Sequence, residues 1–190
     1  MHDSIRKTEH LSSRRGACAL RNEDTDRLGD PVQQAARHWA ERYPDAQGFA
    51  GLVSLIRAYS VAVRSIESVL RPLGLTLSRY EVLLLLSFTR AGCLPTMRLR
   101  DLLMVHGSSV TYLVDKLEEA GLVERRPDPD DGRVSLVYVT DPGRALVDRS
   151  SNALGDAGFG AFAGLNESDA AQLIGILAQV RMSSGDTLVG

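Results

Sequence analysis

The stretch GSSVTYLVDKLEEAGLVERRPDPDDGRVSLVYVTDPGRALV, residues 107–147, decides the fold. From Ser108 to Ala120, Val110, Leu113, Val114 and Leu117 recur at spacings of three and four, one apolar stripe of a helix. Gly121 stands just past its end, where a left-handed backbone closes a helix without steric cost. Leu122–Arg126 and Arg133–Thr140 read as two strands. Pro127-Asp128-Pro129-Asp130-Asp131-Gly132 between them is turn-forming. In the second strand Val134, Leu136 and Tyr138 alternate with Ser135, Val137 and Val139, a mostly buried pattern. Asp141-Pro142 pairs a capping acid with proline and opens another helix through at least Asn152.

Upstream, Val105-His106-Gly107 is a short turn. Before it Thr96 can cap a helix with Leu99, Leu102 and Leu103 inward. Gly92 and Pro95 mark the preceding turn. Ser78 and Glu81 form a capping box, flanked by Leu77 and Val82 as a hydrophobic staple, and the apolar run Val82–Phe88 makes that helix central. A long helix from about Phe49 to Arg71 carries Leu52, Leu55, Ile56, Tyr59, Val63, Ile66 and Leu70 on one stripe, and Pro72 and Gly74 end it. So long a stripe in a small domain calls for a second subunit. Asp30-Pro31 starts a shorter helix with Val32, Ala35, Ala36 and Trp39, stopping near Tyr43 before Pro44. Downstream, Gly155, Gly158, Gly160 and Gly164 interrupt the chain. Asn166 with Asp169 starts a last helix bearing Ala170, Leu173, Ile174, Leu177 and Val180.

The expected fold is mainly α with a small β-hairpin wing, a winged helix-turn-helix, forming a homodimer through a helical dimerisation region. Residues 1–29 are a disordered tail, 30–75 an N-terminal helix and the long dimerisation helix, 76–140 the winged DNA-binding domain, 141–182 the C-terminal dimerisation helices, and 183–190 a frayed end. Through Asp30 the tail holds six basic and six acidic residues with little apolar periodicity. A DNA-touching arm is its minority reading.

Composition constrains function. The chain has 190 residues, 44% of them hydrophobic, and a net charge of -2. No run of 18 or more apolar residues occurs, so no membrane span is expected, and the polar start has no secretory h-region, which points to the cytoplasm. Cys18 and Cys93 are too few for a disulfide framework or zinc site. His38 and His106 lack a second ligand at i+4, so no metal is expected. No nucleophile elbow, P-loop, dinucleotide fingerprint or metal motif appears, which argues against an enzyme and leaves no catalytic residue or cofactor to assign.

Two helices joined by a tight turn and followed by a hairpin bind double-stranded DNA with the second helix in the major groove. Its outward residues are Ser109, Thr111, Tyr112, Asp115 and Lys116, and Ser108 at its start is a further DNA-binding candidate. Hydroxyls at a helix N-terminus suit phosphates. Thr111 and Tyr112 reach bases or phosphates, and Lys116 reaches a phosphate. Asp115 orients a neighbour or accepts from cytosine. Arg133 at the hairpin tip suits a narrow minor groove, with Arg125 and Arg126 on the first wing strand. The plainer reading of these arginines is that they neutralise Asp128, Asp130 and Asp131. Between Thr96 and Thr140 there are eight acidic and six basic residues, so the few cations must be well placed.

The combination Ser108-Ser109-Val110-Thr111, Leu117-Glu118, Gly121-Leu122-Val123, Asp131-Gly132-Arg133 and Thr140-Asp141-Pro142-Gly143 resembles the core of the MarR family of bacterial and archaeal regulators. The resemblance covers residues 49–182. It implies a triangular homodimer built on the long first helix and last two helices, a pseudo-palindromic operator, and repression relieved by a small phenolic or aromatic ligand. The ligand site is then expected where dimer helices meet the DNA-binding lobe, with Trp39, Tyr59, Arg64 and Tyr80 as candidates. Each also reads as packing or as an exposed charge. The N-terminal helix, with His38-Trp39 and Tyr43-Pro44, is similar to an extension in the urate-responsive branch. That branch carries an acid where Glu81 stands but an arginine where Tyr112 stands, so urate is not expected. Two alternatives remain: a redox-responsive regulator using Cys93, read as lying in a turn near Arg90, and a winged-helix protein-interaction module that does not bind DNA, favoured by the acidic wing.

Overall fold

The computed structural model describes residues 29–103 and 107–185. Cys18, most of the expected tail, and Val105 and His106 of the expected turn lie outside the described residues. The chain divides into two compact units, 1–55 and 56–190.

In the first unit, α1 (Pro31–Ala40) begins as its sequence requires: Asp30 Oδ1 accepts the Val32 N–H at 2.9 Å and Pro31 occupies the first turn. The helix ends at Ala40 rather than near Tyr43, because the Arg42 and Tyr43 N–H groups turn back onto the Trp39 carbonyl. Asp45, at φ 53°, then caps α2 (Ala46–Leu70) by accepting the Gly48 N–H at 2.9 Å. This start lies three residues before the Phe49 expected from apolar periodicity. The Trp39 ring stacks on Phe49 at 4.2 Å and meets Tyr43 at 4.7 Å, and its Nε1–H donates to the Pro44 carbonyl at 2.8 Å.

The second unit begins within α2. Leu52 and Leu55, just before the boundary, and Ile56 and Tyr59 after it are exposed, as is Val61 beside them, so the first half of the apolar stripe is uncovered, while Ile66 packs against the core. By length and composition alone Ala46–Leu73 suffices to cross a bilayer, although it holds no uninterrupted apolar run of that length. Leu70 is fully buried, and a 3-10 turn (Arg71–Leu73) with Gly74 at φ 78° ends the helix.

Then come α3 (Leu77–Phe88), β1 (Cys93–Pro95), α4 (Thr96–Leu103), α5 (Gly107–Glu119), β2 (Val123–Pro127), β3 (Ser135–Val139), α6 (Asp141–Asp156), a 3-10 turn (Gly160–Phe162) and α7 (Glu167–Ser183). Four local expectations are corrected. Thr76, not Ser78, caps α3, accepting the Arg79 N–H. Thr96 does not act as an N-cap: it is the first residue of α4, and its hydroxyl donates to the Ser135 carbonyl at 3.2 Å. Thr140, not Asp141, caps α6, accepting the Gly143 N–H at 3.2 Å. Finally, the sheet has three strands, order β1-β3-β2, with Cys93 paired to Tyr138 and Val123 to Val139. Strand β1 is hidden in the sequence because its three residues follow Gly92 and end on Pro95, a pair that reads as a turn.

The core joins α3, α4, α5, the sheet and α6. Leu83, Leu86, Leu99, Val110, Val114, Leu117 and Val137 are fully buried. The Thr-x-x-Gly motif serves as a junction here. The Thr140 hydroxyl also donates to the Gly121 carbonyl at 2.8 Å, and a Cβ on Gly143 would strike the Leu122 carbonyl oxygen. Helix α6 therefore sits directly on the connection between α5 and β2. In α7, capped by Asn166, no residue is buried, and Ile174, Ile176, Val180 and Met182 are exposed.

Candidate nucleic-acid interface

Helices α4 and α5 pack through Leu99, Val110 and Val114, and the antiparallel β2–β3 hairpin forms the wing. The inward stripe on α5 fixes what it shows outward. Ser109, Thr111 and Tyr112 are exposed, Tyr112 at 56%. Ser108 lies in the first turn of α5. One to two turns on, Asp115 and Lys116 are half-buried. Lys116 Nζ pairs with Glu119 at 2.5 Å. That hydrogen bond and the Glu119 charge hold the ammonium above its ordinary pKa, while Arg79 on α3 acts the other way. Arg79 is thus a neighbouring cation that the helix-turn-helix pattern gave no reason to single out.

The wing loop is ordered by its own acids. Asp128 Oδ1 accepts the Asp130 N–H at 2.9 Å, and Asp131 Oδ1 accepts the Arg133 N–H at 3.0 Å. The Arg133 side chain is 94% exposed, with Nε 3.4 Å from Asp131. A notch of about 260 Å³ opens between Arg125, Arg126 and Arg133. Asp131 holds Arg133, but the other two arginines pair elsewhere. Arg126 pairs with Glu124 and lies 4.7 Å over the Tyr138 ring. Arg125 turns toward α5: its Nη2 is 2.5 Å from Asp115 Oδ1 and its Nη1 bonds Glu118. The sequence pattern anticipated Asp115 as an orienter of a neighbour and missed Glu118, whose partner is seven residues away across a turn.

Cys93 is half-buried in β1 rather than in an exposed turn. A hydrogen bond with its thiol, then burial, raises the Tyr138 phenol above its ordinary pKa. The redox alternative loses the exposed turn it started from. Among the described residues no group of three or more His, Cys, Asp or Glu could hold a metal.

The ligand candidates are scattered by environment. Tyr80 is 8% exposed, its hydroxyl 2.9 Å from Ser151 Oγ. Trp39 is engaged by Phe49, Tyr43 and Pro44. Tyr59 and Arg64 are exposed on α2.

A sequence profile described as MarR family matches residues 73–134. Sco5413, a MarR family transcriptional regulator from Streptomyces coelicolor, is 33% identical in its solved structure. The match has a TM-score of 0.69 and covers 75% of this chain and 98% of that one. A mutant MarR from E. coli, complexed with operator DNA, is 28% identical at TM-score 0.61, over 68% of this chain and 93% of that one. CouR from Rhodococcus jostii RHA1, bound to p-coumaroyl-CoA, is 28% identical at TM-score 0.62, over 77% and 96%. The chain spans 58–62% of the length of the first curated relatives it matches. Matched over 98% of the length of a 33% identical member, this chain belongs to the MarR family of transcriptional regulators.

Proposed function

We propose that the protein is a homodimeric, sequence-specific repressor that binds a pseudo-palindromic operator in the cytoplasm and is released by a small aromatic or phenolic ligand. The observation that carries this reading is the pairing of an exposed recognition surface on α5 with an arginine-tipped wing. Thr111 and Tyr112 enter the major groove, with Ser108, Ser109 and Lys116 at the phosphates. Arg133 enters the adjacent minor groove, and Arg125, the remaining candidate, is turned toward Asp115 and Glu118 on α5 and serves the interface through the wing rather than at the duplex.

Dimerisation is supported by the apolar residues left exposed on α2 and α7. A second copy covers them and sets two recognition helices about 34–36 Å apart, one turn of duplex. The effector class is supported by the aromatic acyl ligand of CouR. Tyr59 and Arg64 on α2 are its proposed contacts, with Trp39 and Tyr80 as further candidates.

The test is binding to genomic fragments in a salt series, followed by addition of aromatic acids. Selective binding that weakens steeply with salt supports the reading. No selective binding at low salt refutes it, and binding that no aromatic compound relieves refutes the effector part.

A further inference from the structure

One guanidinium ties the wing to the recognition helix. Arg125 lies in β2, and α5 receives it with a stripe of three residues spaced i, i+4 and i+7, Thr111, Asp115 and Glu118. Its Nη1 bonds Glu118 and its Nη2 bonds Asp115 Oδ1 at 2.5 Å and the Thr111 carbonyl at 3.3 Å. Its backbone N–H donates to the second Glu118 oxygen at 2.9 Å. The side chain is only 26% exposed. A fork holding two carboxylates and a carbonyl at once is a directional clamp, unlike a loose surface ion pair.

The clamp sits where the docking geometry needs it. Only residues 120–122 join α5 to β2, and pairing of β3 with β1 and the burial of Val123, Val137 and Val139 hold the base of the wing, so the hairpin beyond that base takes its angle to α5 from side-chain contacts. Reading two adjacent grooves requires that angle to be set before binding.

We propose that Arg125 is a positioning residue, clamped by Asp115 and Glu118, that holds the wing at the angle for operator docking. On this inference, which rests on the DNA-binding reading above, two carboxylates in the DNA-binding lobe strengthen operator binding despite their sign.

That sign is what the experiment reads. The probes are a duplex selected by the wild-type dimer from a randomised library, and a fixed random-sequence duplex. The variants are Asp115→Asn, Glu118→Gln, their double, Arg125→Lys and Arg125→Ala, each checked for a cooperative melt. The double variant is expected to bind the selected duplex about tenfold more weakly, the scale of one lost groove contact, with random-duplex binding equal or tighter. Arg125→Lys, which keeps the charge but cannot fork, is expected to fall the same way. The salt slope of Arg125→Ala is expected to match wild type.

The inference is overturned if neutralising the acids leaves selected-duplex binding unchanged or tightens it, as simple charge removal would. It is equally overturned if Arg125→Lys binds like wild type while Arg125→Ala loses about one unit of salt slope, the mark of a phosphate contact. If Arg125→Ala fails to fold, the acid-to-amide pair decides alone. A wild-type protein that selects no duplex refutes the DNA-binding reading itself, a separate outcome.

Discussion

Replacing Gly143 with alanine tests the junction between α6 and the recognition lobe. The added methyl group would overlap the Leu122 carbonyl oxygen and lie 2.9 Å from Val139 Cγ2. Ordinary carbon contacts fall near 3.5–4.0 Å, so Val139 must yield by roughly 0.6–1 Å. The carbonyl cannot withdraw freely, because it accepts the Thr140 N–H at 3.1 Å, and Thr140 in turn caps α6. Overpacking of this kind costs about 1–3 kcal/mol. For a chain of this size that lowers the melting temperature by about 2–12 °C. Gly155→Ala is the control: it lies on the same helix, nothing lies within 4 Å of its added Cβ, and alanine there should gain about 0.5 kcal/mol from helix propensity. Thermal melts by circular dichroism at one fixed protein concentration compare the two. If Gly143→Ala melts with wild type, or Gly155→Ala loses as much, the close approach is not what fixes glycine at position 143.

Four further outcomes are expected. Arg133→Ala should weaken operator binding by about 1–2 kcal/mol, roughly five- to thirtyfold, in a titration at fixed salt, and wild-type affinity removes the wing tip from the interface. Ile56→Asp, on the exposed stripe of α2, should shift light scattering toward monomer and weaken operator binding with it, whereas an unshifted dimer places the interface elsewhere. Ser150→Ala should raise stability by about 1 kcal/mol, since the fully buried Ser150 hydroxyl has no hydrogen-bond partner among the described residues, and a destabilised variant would reveal one. Partial burial raises the Glu81 carboxyl above its ordinary 4.5. As pH climbs past that value the unfolded chain ionises first, so the folded state loses stability. Glu81→Gln should therefore be the more stable protein at neutral pH, with the advantage gone in acid below 4.5; a pH-independent difference would assign the effect to packing.

Most of the fold was legible because local signals agreed with one another. The stripe Val110, Leu113, Val114 and Leu117, the glycine at 121 and the proline-aspartate turn each specify neighbours a few residues away. What escaped was set across longer distances. Three residues of β1 become a strand only because β3 offers a free edge at Tyr138. Two threonines and a serine near helix starts compete as caps. The chosen cap is the residue whose backbone the tertiary fold leaves extended, as at Thr76 and Thr140. At the candidate interface the outward face of α5 followed from its inward face, but the pairing of Arg125 did not. Glu124 adjoins Arg125 in sequence and Asp128 follows three residues on, yet Glu124 pairs with Arg126 and Asp128 accepts a backbone N–H of its own turn. Charge counted along the chain therefore says little about which charges a duplex would meet.

The aromatic cluster of Trp39 with Phe49 and Tyr43 has an experimental use. The chain has one tryptophan, and it lies wholly within the first compact unit, its indole N–H bonded to the Pro44 carbonyl. Indole emission is therefore a built-in reporter of the helical hairpin at residues 31–55, silent on the winged lobe, while far-ultraviolet dichroism reports mainly on the larger unit. Following both through one denaturation will show whether the N-terminal extension comes apart with the DNA-binding body or on its own.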